Sequence, residues 1–174
     1  MNDKELEKIG NAPEKYSTKQ YLQFKKLHND VVLPCKVHGT DAGLDLTAIS
    51  IEFKDDIVIY GTGIAVEVPI GYVGLIYPRS SIYKYDLILA NHVGVIDSEY
   101  RGEIKFIFRC LESLKQLSKN YYNPSIRLDY PKIYDIGDRI GQLILTPIVL
   151  TIPSFVDELS DTTRNVGGFG STGK

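Results

Sequence analysis

Cysteine is scarce. Cys35 and Cys110 are the only two, far apart and without a CxxC or Cys/His cluster, which argues against a disulfide framework or a zinc site. Both read as small buried apolar residues. Long apolar runs are missing as well, and no stretch approaches the roughly 20 residues of a membrane helix. The first residues, Met1 to Lys8, are polar and mixed in charge, so they lack the apolar centre of a secretory signal. A cytoplasmic protein with no membrane partner is expected. Nor is there an excess of positive charge: the formal net charge is -2, too little field for gripping long nucleic acid by neutralising many phosphates. Any phosphate-bearing ligand should be small.

What is present is an ordinary soluble composition, 43% apolar and 24% charged over 174 residues, enough for one well-buried core and too short for two ordinary domains. Residues 1–20 are polar and read as a tail. From Tyr21 to Leu159 the chain offers short runs rich in Val, Ile, Tyr and Phe, punctuated by Gly, Pro, Asn and Asp: YLQFKKL, LDLTAISIEF, DIVIYGTGIAVEVP, GYVGLIYP, EIKFIFR and GQLILTPIVLTIP. That is the pattern of strands and turns, and the predicted class is all-β, a single-domain sandwich or barrel. An insertion at about 112–136 carries one candidate for a short helix, LESLKQLSKN, and has no evident chemical role. Residues 160–174, SDTTRNVGGFGSTGK, are too glycine-rich and polar to be anchored by packing alone, and are expected to form an arm that is flexible without a ligand.

Five segments carry the chemistry. DAGLDLTA (41–48) puts Asp45 on a strand after a glycine turn. PRSS (78–81) combines the forked donors of Arg79 with the hydroxyl and backbone donors of Ser80 and Ser81, which suits phosphate oxygens. NHVGVIDSEYRGE (91–103) sends an apolar strand, GVI, into Asp97, with Tyr100 three residues on and Gly102 allowing reversal into EIKFIF, so that the whole reads as a β-hairpin. Taken alone, Asp97 is a turn-capping carboxylate, Tyr100 a half-buried strand aromatic and His92 a loop residue. GDRIGQL (137–143) turns into a strand bearing Gln142, whose amide can donate to a phosphate oxygen, while Asp138 and Arg139 are read as bracing the turn. RNVGGFGSTG (164–173) lets successive backbone N–H groups converge on phosphates and adds the hydroxyls of Ser171 and Thr172. It lacks the Walker spacing and leads into no helix.

In this order the five segments resemble the motifs of the trimeric dUTPase family. The resemblance implies a homotrimeric β-fold of the dUTPase type (β-clip, jelly-roll-like), with dUTP as substrate, Mg²⁺ as cofactor and active sites shared between subunits. It implies that Asn91 and the backbone at Gly94, Val95 and Ile96 read uracil, with a further contact near Lys105, and that Tyr100 lies under the deoxyribose and excludes a 2′-hydroxyl. Asp97 would be the catalytic base. Arg79, Ser80, Ser81, Gln142 and Arg164 would hold the phosphates, Phe169 would stack on the base, and Gly170, Ser171 and Thr172 would complete the arm. Asp45 would reach the metal through water. Departures are Ser81 where many members have glycine, Asn165 and Val166 after Arg164 where glycine is common, and the 112–136 insertion. Two other readings compete: a dCTP deaminase, whose catalytic glutamate would stand where this chain has Ile107, and a dUTPase-shaped regulatory module that binds a protein partner.

Overall fold

The structure, a computed structural model, describes residues 21–111 and 132–167. These form ten strands: β1 (Gln23–Lys26), β2 (Leu44–Thr47), β3 (Ser50–Lys54), β4 (Ile57–Gly61), β5 (Ile64–Glu67), β6 (Tyr72–Pro78), β7 (Leu87–Leu89), β8 (Gly94–Ile96), β9 (Lys105–Cys110) and β10 (Arg139–Pro147), with one short 3₁₀ helix at Ser80–Lys84. The expected all-β class is the one adopted. The helix expected in LESLKQLSKN and the tail at 1–20 lie outside the described residues, apart from Leu111.

Two four-stranded sheets, ordered β2-β10-β6-β8 and β3-β4-β9-β7, are accompanied by a separate two-stranded sheet, β1-β5. Alternation decides which side chains enter the core. Along β9, Phe106 and Phe108 are buried while Lys105, Ile107 and Arg109 face outward. The core between the sheets contains Leu46, Tyr60, Phe106, Phe108, Tyr134, Ile140 and Leu143, each at most 1% exposed. Burying each large apolar side chain stabilises the fold by roughly 1.5–3 kcal/mol. Sheet-to-sheet packing is close: a methyl group added at Gly141 on β10 would lie 2.0 Å from the Phe106 ring on β9.

Three expectations need correction. The third motif is not a hydrogen-bonded hairpin, because β8 pairs with β6 in one sheet whereas β9 pairs with β4 and β7 in the other. Residues 97–104 therefore arch between sheets, and the connection exceeds the short loops that close hairpins. Cys35 is exposed and Cys110 half-buried, since Cys35 sits in an isolated bridge to Asp45 beside the edge strand β2 and no layer covers it. GQLILTPIVLTIP is a strand only to Pro147. Beyond it the chain runs on without regular structure, leaving Val149, Leu150, Ile152, Phe155 and Leu159 70% or more exposed.

Candidate active site

Strand β10 assembles the first group. Its Gln142 stands opposite Asp45 on β2 and Tyr77 on β6, and Gly141 stands opposite Pro78. The Asp45 carboxylate, 13% exposed, accepts from Arg79 Nε at 3.0 Å and from Arg139 Nη1 at 2.9 Å. Arg139 thus clamps Asp45 rather than bracing the turn as expected. It follows its turn directly into β10, where its register partner on β2 is Thr47. Asp138 does brace the turn, accepting from the Asp135 N–H at 2.9 Å. Gln142 Nε2 donates to the Pro78 carbonyl at 3.3 Å, and its side chain lies against Gly43, where a Cβ would come within 2.3 Å of Oε1. Arg79 ends this group where β6 gives way to the 3₁₀ helix. Ser80 is exposed and Ser81 half-buried.

The arch builds the second group. Asp97 follows β8 at the surface, and its carbonyl accepts from the Tyr100 N–H at 3.1 Å. The Tyr100 hydroxyl donates to the Glu103 carbonyl at 3.0 Å. That fold-back requires glycine at 102, because a Cβ there would meet the Tyr100 oxygen at 2.4 Å. Val95, Ile96, Asp97, Tyr100 and Lys105 all line one open pocket of about 600 Å³. Two further residues line it that were not expected as dUTP contacts, Glu103 and Ile107. Period-two alternation was the available signal, since Glu103, Lys105 and Ile107 fall on one side of the chain. Glu103 Oε1 accepts from the Gly63 N–H at 2.8 Å and its Oε2 lies 3.4 Å from Lys105 Nζ. Asn91 and Gly94 do not line the pocket. Asn91 occupies the exposed turn before β8, and a Cβ built on Gly94 would lie 3.5 Å from its amide nitrogen. His92 is a loop residue as expected, with φ at 60°.

The two groups lie far apart within one chain. Asp97 falls one residue beyond Ile96, which pairs with Gly74, whereas Asp45 is level with Tyr77 across β10. Three strand spacings across the sheet and four residues along it amount to about 20 Å. Arg164 lies beyond both, on the exposed C-terminal stretch, with its Nε donating to the Gly167 carbonyl at 2.8 Å. Asn165 adopts φ of 38°, the left-handed conformation that asparagine tolerates best after glycine, and so takes up the turn for which the family commonly uses glycine. Phe169, Gly170, Ser171 and Thr172 lie outside the described residues. Among the described residues no cluster of three or more His, Cys, Asp or Glu could hold a metal. Burial raises the pKa values of Tyr85 and Tyr134.

Comparison with known proteins gives this geometry its setting. A dUTPase family model matches residues 29–114. The deoxyuridine 5'-triphosphate nucleotidohydrolase of Corynebacterium diphtheriae is 40% identical over 156 residues, covering 87% of this chain and 92% of the relative. That of Rhodococcus erythropolis is 38% identical, covering 87% and 85%. The chain belongs to the dUTPase family. Among solved structures, the dUTPase of Staphylococcus bacteriophage 80alpha with dUPNHPP aligns with a TM-score of 0.70 at 27% identity, covering 88% of this chain and 99% of that one. A mutant dUTPase from phage phi11 of S. aureus, described as revealing coordination of a structural Mg(II) ion, aligns with a TM-score of 0.62 at 27% identity, covering 80% and 98%. The all-β sandwich is therefore of the dUTPase type. Within that fold, the position that would distinguish a dCTP deaminase is a pocket-lining isoleucine, Ile107, 41% exposed. It carries no group able to move a proton.

Proposed function

We propose that this chain, a dUTP diphosphatase by its family, hydrolyses dUTP to dUMP and pyrophosphate with Asp97 as the base that activates the attacking water at the α-phosphorus. The observation that carries the assignment is the single pocket in which Asp97 joins Val95, Ile96, Tyr100 and Lys105. Uracil is read by the backbone of Val95 and Ile96 at that wall and by Asn91 and the Gly94 backbone just before it along the chain, while Tyr100 underlies the sugar. Arg79, the Ser80 hydroxyl, the Ser81 N–H, Gln142 and Arg164 hold the phosphate oxygens, a preorganised set of donors aimed at developing charge. Phe169, Gly170, Ser171 and Thr172 close over the nucleotide. Mg²⁺, when bound, would neutralise charge on the triphosphate oxygens. The chemistry of Asp45 fits a supporting place there. Its two oxygens each accept one arginine hydrogen bond, and a carboxylate offers about four acceptor positions, so acceptors remain for water beside the metal.

The roughly 20 Å between Asp97 and the Asp45 group supports active sites completed by neighbouring subunits of a homotrimer. So do the apolar side chains left exposed on the stretch after Pro147, which need a partner surface. The test combines both claims. Asp97→Asn keeps the shape and removes the base, so kcat should fall by roughly 10² or more, with dUTP affinity much less affected. Mixing Asp97→Asn chains with Arg79→Ala chains should restore part of the activity that each lacks alone. Near-parental hydrolysis by Asp97→Asn places the base elsewhere, and absence of any recovery on mixing rules out shared sites.

A further inference from the structure

The arch between β8 and β9 is bonded largely to itself. The Tyr100 N–H donates to the Asp97 carbonyl, the Tyr100 hydroxyl to the Glu103 carbonyl, and the Arg101 guanidinium to the carbonyls of Ser98 and Tyr100. Outward, Arg101 reaches Glu67 on β5 at 3.2 Å, but both side chains are more than half exposed, and such pairs hold little. The firm outward bonds sit at the last two residues of the arch. The Ile104 N–H donates to the Ile64 carbonyl at 2.9 Å and the Ile104 carbonyl accepts from the Thr62 hydroxyl at 2.7 Å. Glu103 supplies the other.

The Glu103 carboxylate lies across the turn between β4 and β5. Its Oε1 accepts from the Gly63 N–H at 2.8 Å, and a Cβ built on Gly61 would come within 2.7 Å of the same oxygen, so glycine at 61 opens the space that the carboxylate fills. Gly63 is a fixed support. It adopts φ of 64°, a Cβ there would fall 2.3 Å from Ile49 and 2.8 Å from Val31, and its carbonyl accepts from the Leu27 N–H at 2.8 Å. The Glu103 side chain is 26% exposed, and its Oε2 lies 3.4 Å from the ammonium of the half-exposed Lys105. One residue therefore grips a rigid turn by its carboxylate and the Tyr100 hydroxyl by its carbonyl, on the wall of the pocket itself. Asp97 is placed from the opposite end, by the pairing of β8 with β6.

We propose that Glu103 is a positioning residue for sugar discrimination: by fixing the end of the arch on Gly63 it sets where the Tyr100 ring meets the sugar, and with it the exclusion of a 2′-hydroxyl. This rests on the reading of Tyr100 as the sugar wall. Reach matters more than charge. A side chain that carries an acceptor to the Gly63 N–H keeps the anchor, whereas a shorter one leaves that donor without its partner and frees the Glu103 peptide, and the Tyr100 hydroxyl bonded to it, to shift.

The test measures kcat and KM for dUTP and for UTP by pyrophosphate release, with the melting temperature of each full-length protein. Glu103→Asp keeps the charge but falls one methylene short of Gly63, while Glu103→Gln keeps the length and an oxygen acceptor. In Glu103→Asp the ratio of UTP to dUTP kcat/KM should rise roughly three- to tenfold, the scale of one hydrogen bond. The KM for dUTP should rise with its kcat within about twofold of the parent, because the sugar wall acts in binding while Asp97 stays on β8. Glu103→Gln should keep the parental ratio within about twofold, since the half-exposed Lys105 pair that it gives up is weak. A parental ratio in Glu103→Asp overturns the proposal, and a lowered melting temperature beside it makes Glu103 a purely structural residue. A ratio raised equally by both variants also overturns it, because the effect would then lie in charge. Tyr100→Ala separates the two readings. If it raises the ratio while Glu103→Asp does not, the anchor fails alone; if it leaves the ratio at the parental value, the sugar wall fails and the anchor with it.

Discussion

Asp45→Asn isolates what the paired arginines contribute. The carboxylate is 13% exposed and accepts one hydrogen bond from each guanidinium, Arg79 at 3.0 Å and Arg139 at 2.9 Å. Asparagine preserves the shape but has one acceptor, so one arginine keeps its partner while the other faces an amide N–H. One charge-assisted hydrogen bond is lost, roughly 1.5–3 kcal/mol. Repulsion between the two guanidiniums is then uncompensated, but Arg139 is 45% exposed. Solvent screening holds that contribution below about 1 kcal/mol. The total is about 1.5–4 kcal/mol, and for a chain of this size the melting temperature should fall by roughly 3–16 °C. Arg139→Gln, which leaves Asp45 paired with Arg79, should cost less than about 1 kcal/mol. The assay is thermal unfolding followed by circular dichroism, with all proteins at one concentration because assembly makes the midpoint concentration-dependent. A shift for Asp45→Asn within about 1 °C of the parent would refute a structural role for the cluster, and Asp45 would have to be explained by ligand binding alone.

Gly102→Ala should leave the melting temperature nearly unchanged, because its methyl meets the half-exposed Tyr100 ring rather than the core. By displacing that ring it should raise the ratio of UTP to dUTP turnover, measured as pyrophosphate release from each nucleotide. Alkaline pH should destabilise the protein. Burial raises the pKa values of Tyr60, Tyr85 and Tyr134 above the ordinary 10.0, so the folded state retains protons that the unfolded chain releases. The stability they contribute is intact below about pH 10 and is lost as pH rises beyond it. Melting temperatures from pH 8 to 11 should turn downward near 10, with these phenols gaining phenolate absorbance only on unfolding.

Most strands were legible because their signal is local. In β9 the alternation of KFIFRC states which residues face the core, and GYVGLIYP becomes β6 almost residue for residue. Asp97, Tyr100 and Lys105 could be placed together because all three belong to one short stretch, and the pocket collects them without help from distant segments. Partnerships across the sequence were not legible. Whether β8 pairs with β9 depends on β6 lying free beside β8, and nothing in GVIDSEYRGE says so. The Arg139–Asp45 contact spans 94 positions. Arg139 beside Asp138 looks like turn chemistry until β10 is laid against β2. Cys35 was misjudged because cysteine's usual burial is a statistical tendency, whereas its exposure follows from its place beside an edge strand.

The hydrogen bonds at Asp86 govern a different property, the freedom of the chain to change length. Leu111 N–H donates to the Asp86 carbonyl, and Asp86 N–H donates to the Lys132 carbonyl, each at 2.8 Å. Leu111 and Lys132, the described residues on either side of 112–131, are therefore both held at a single residue, Asp86. Among the described residues, every strand register and the order of each sheet are set outside 112–131. Doubling the length of a connection between two fixed ends costs only about 0.6 kcal/mol of closure entropy. A change of length between Leu111 and Lys132 should therefore leave the pairing of β9 with β4 and of β10 with β6 in place, which opens this connection to new sequence at little cost to the old chemistry.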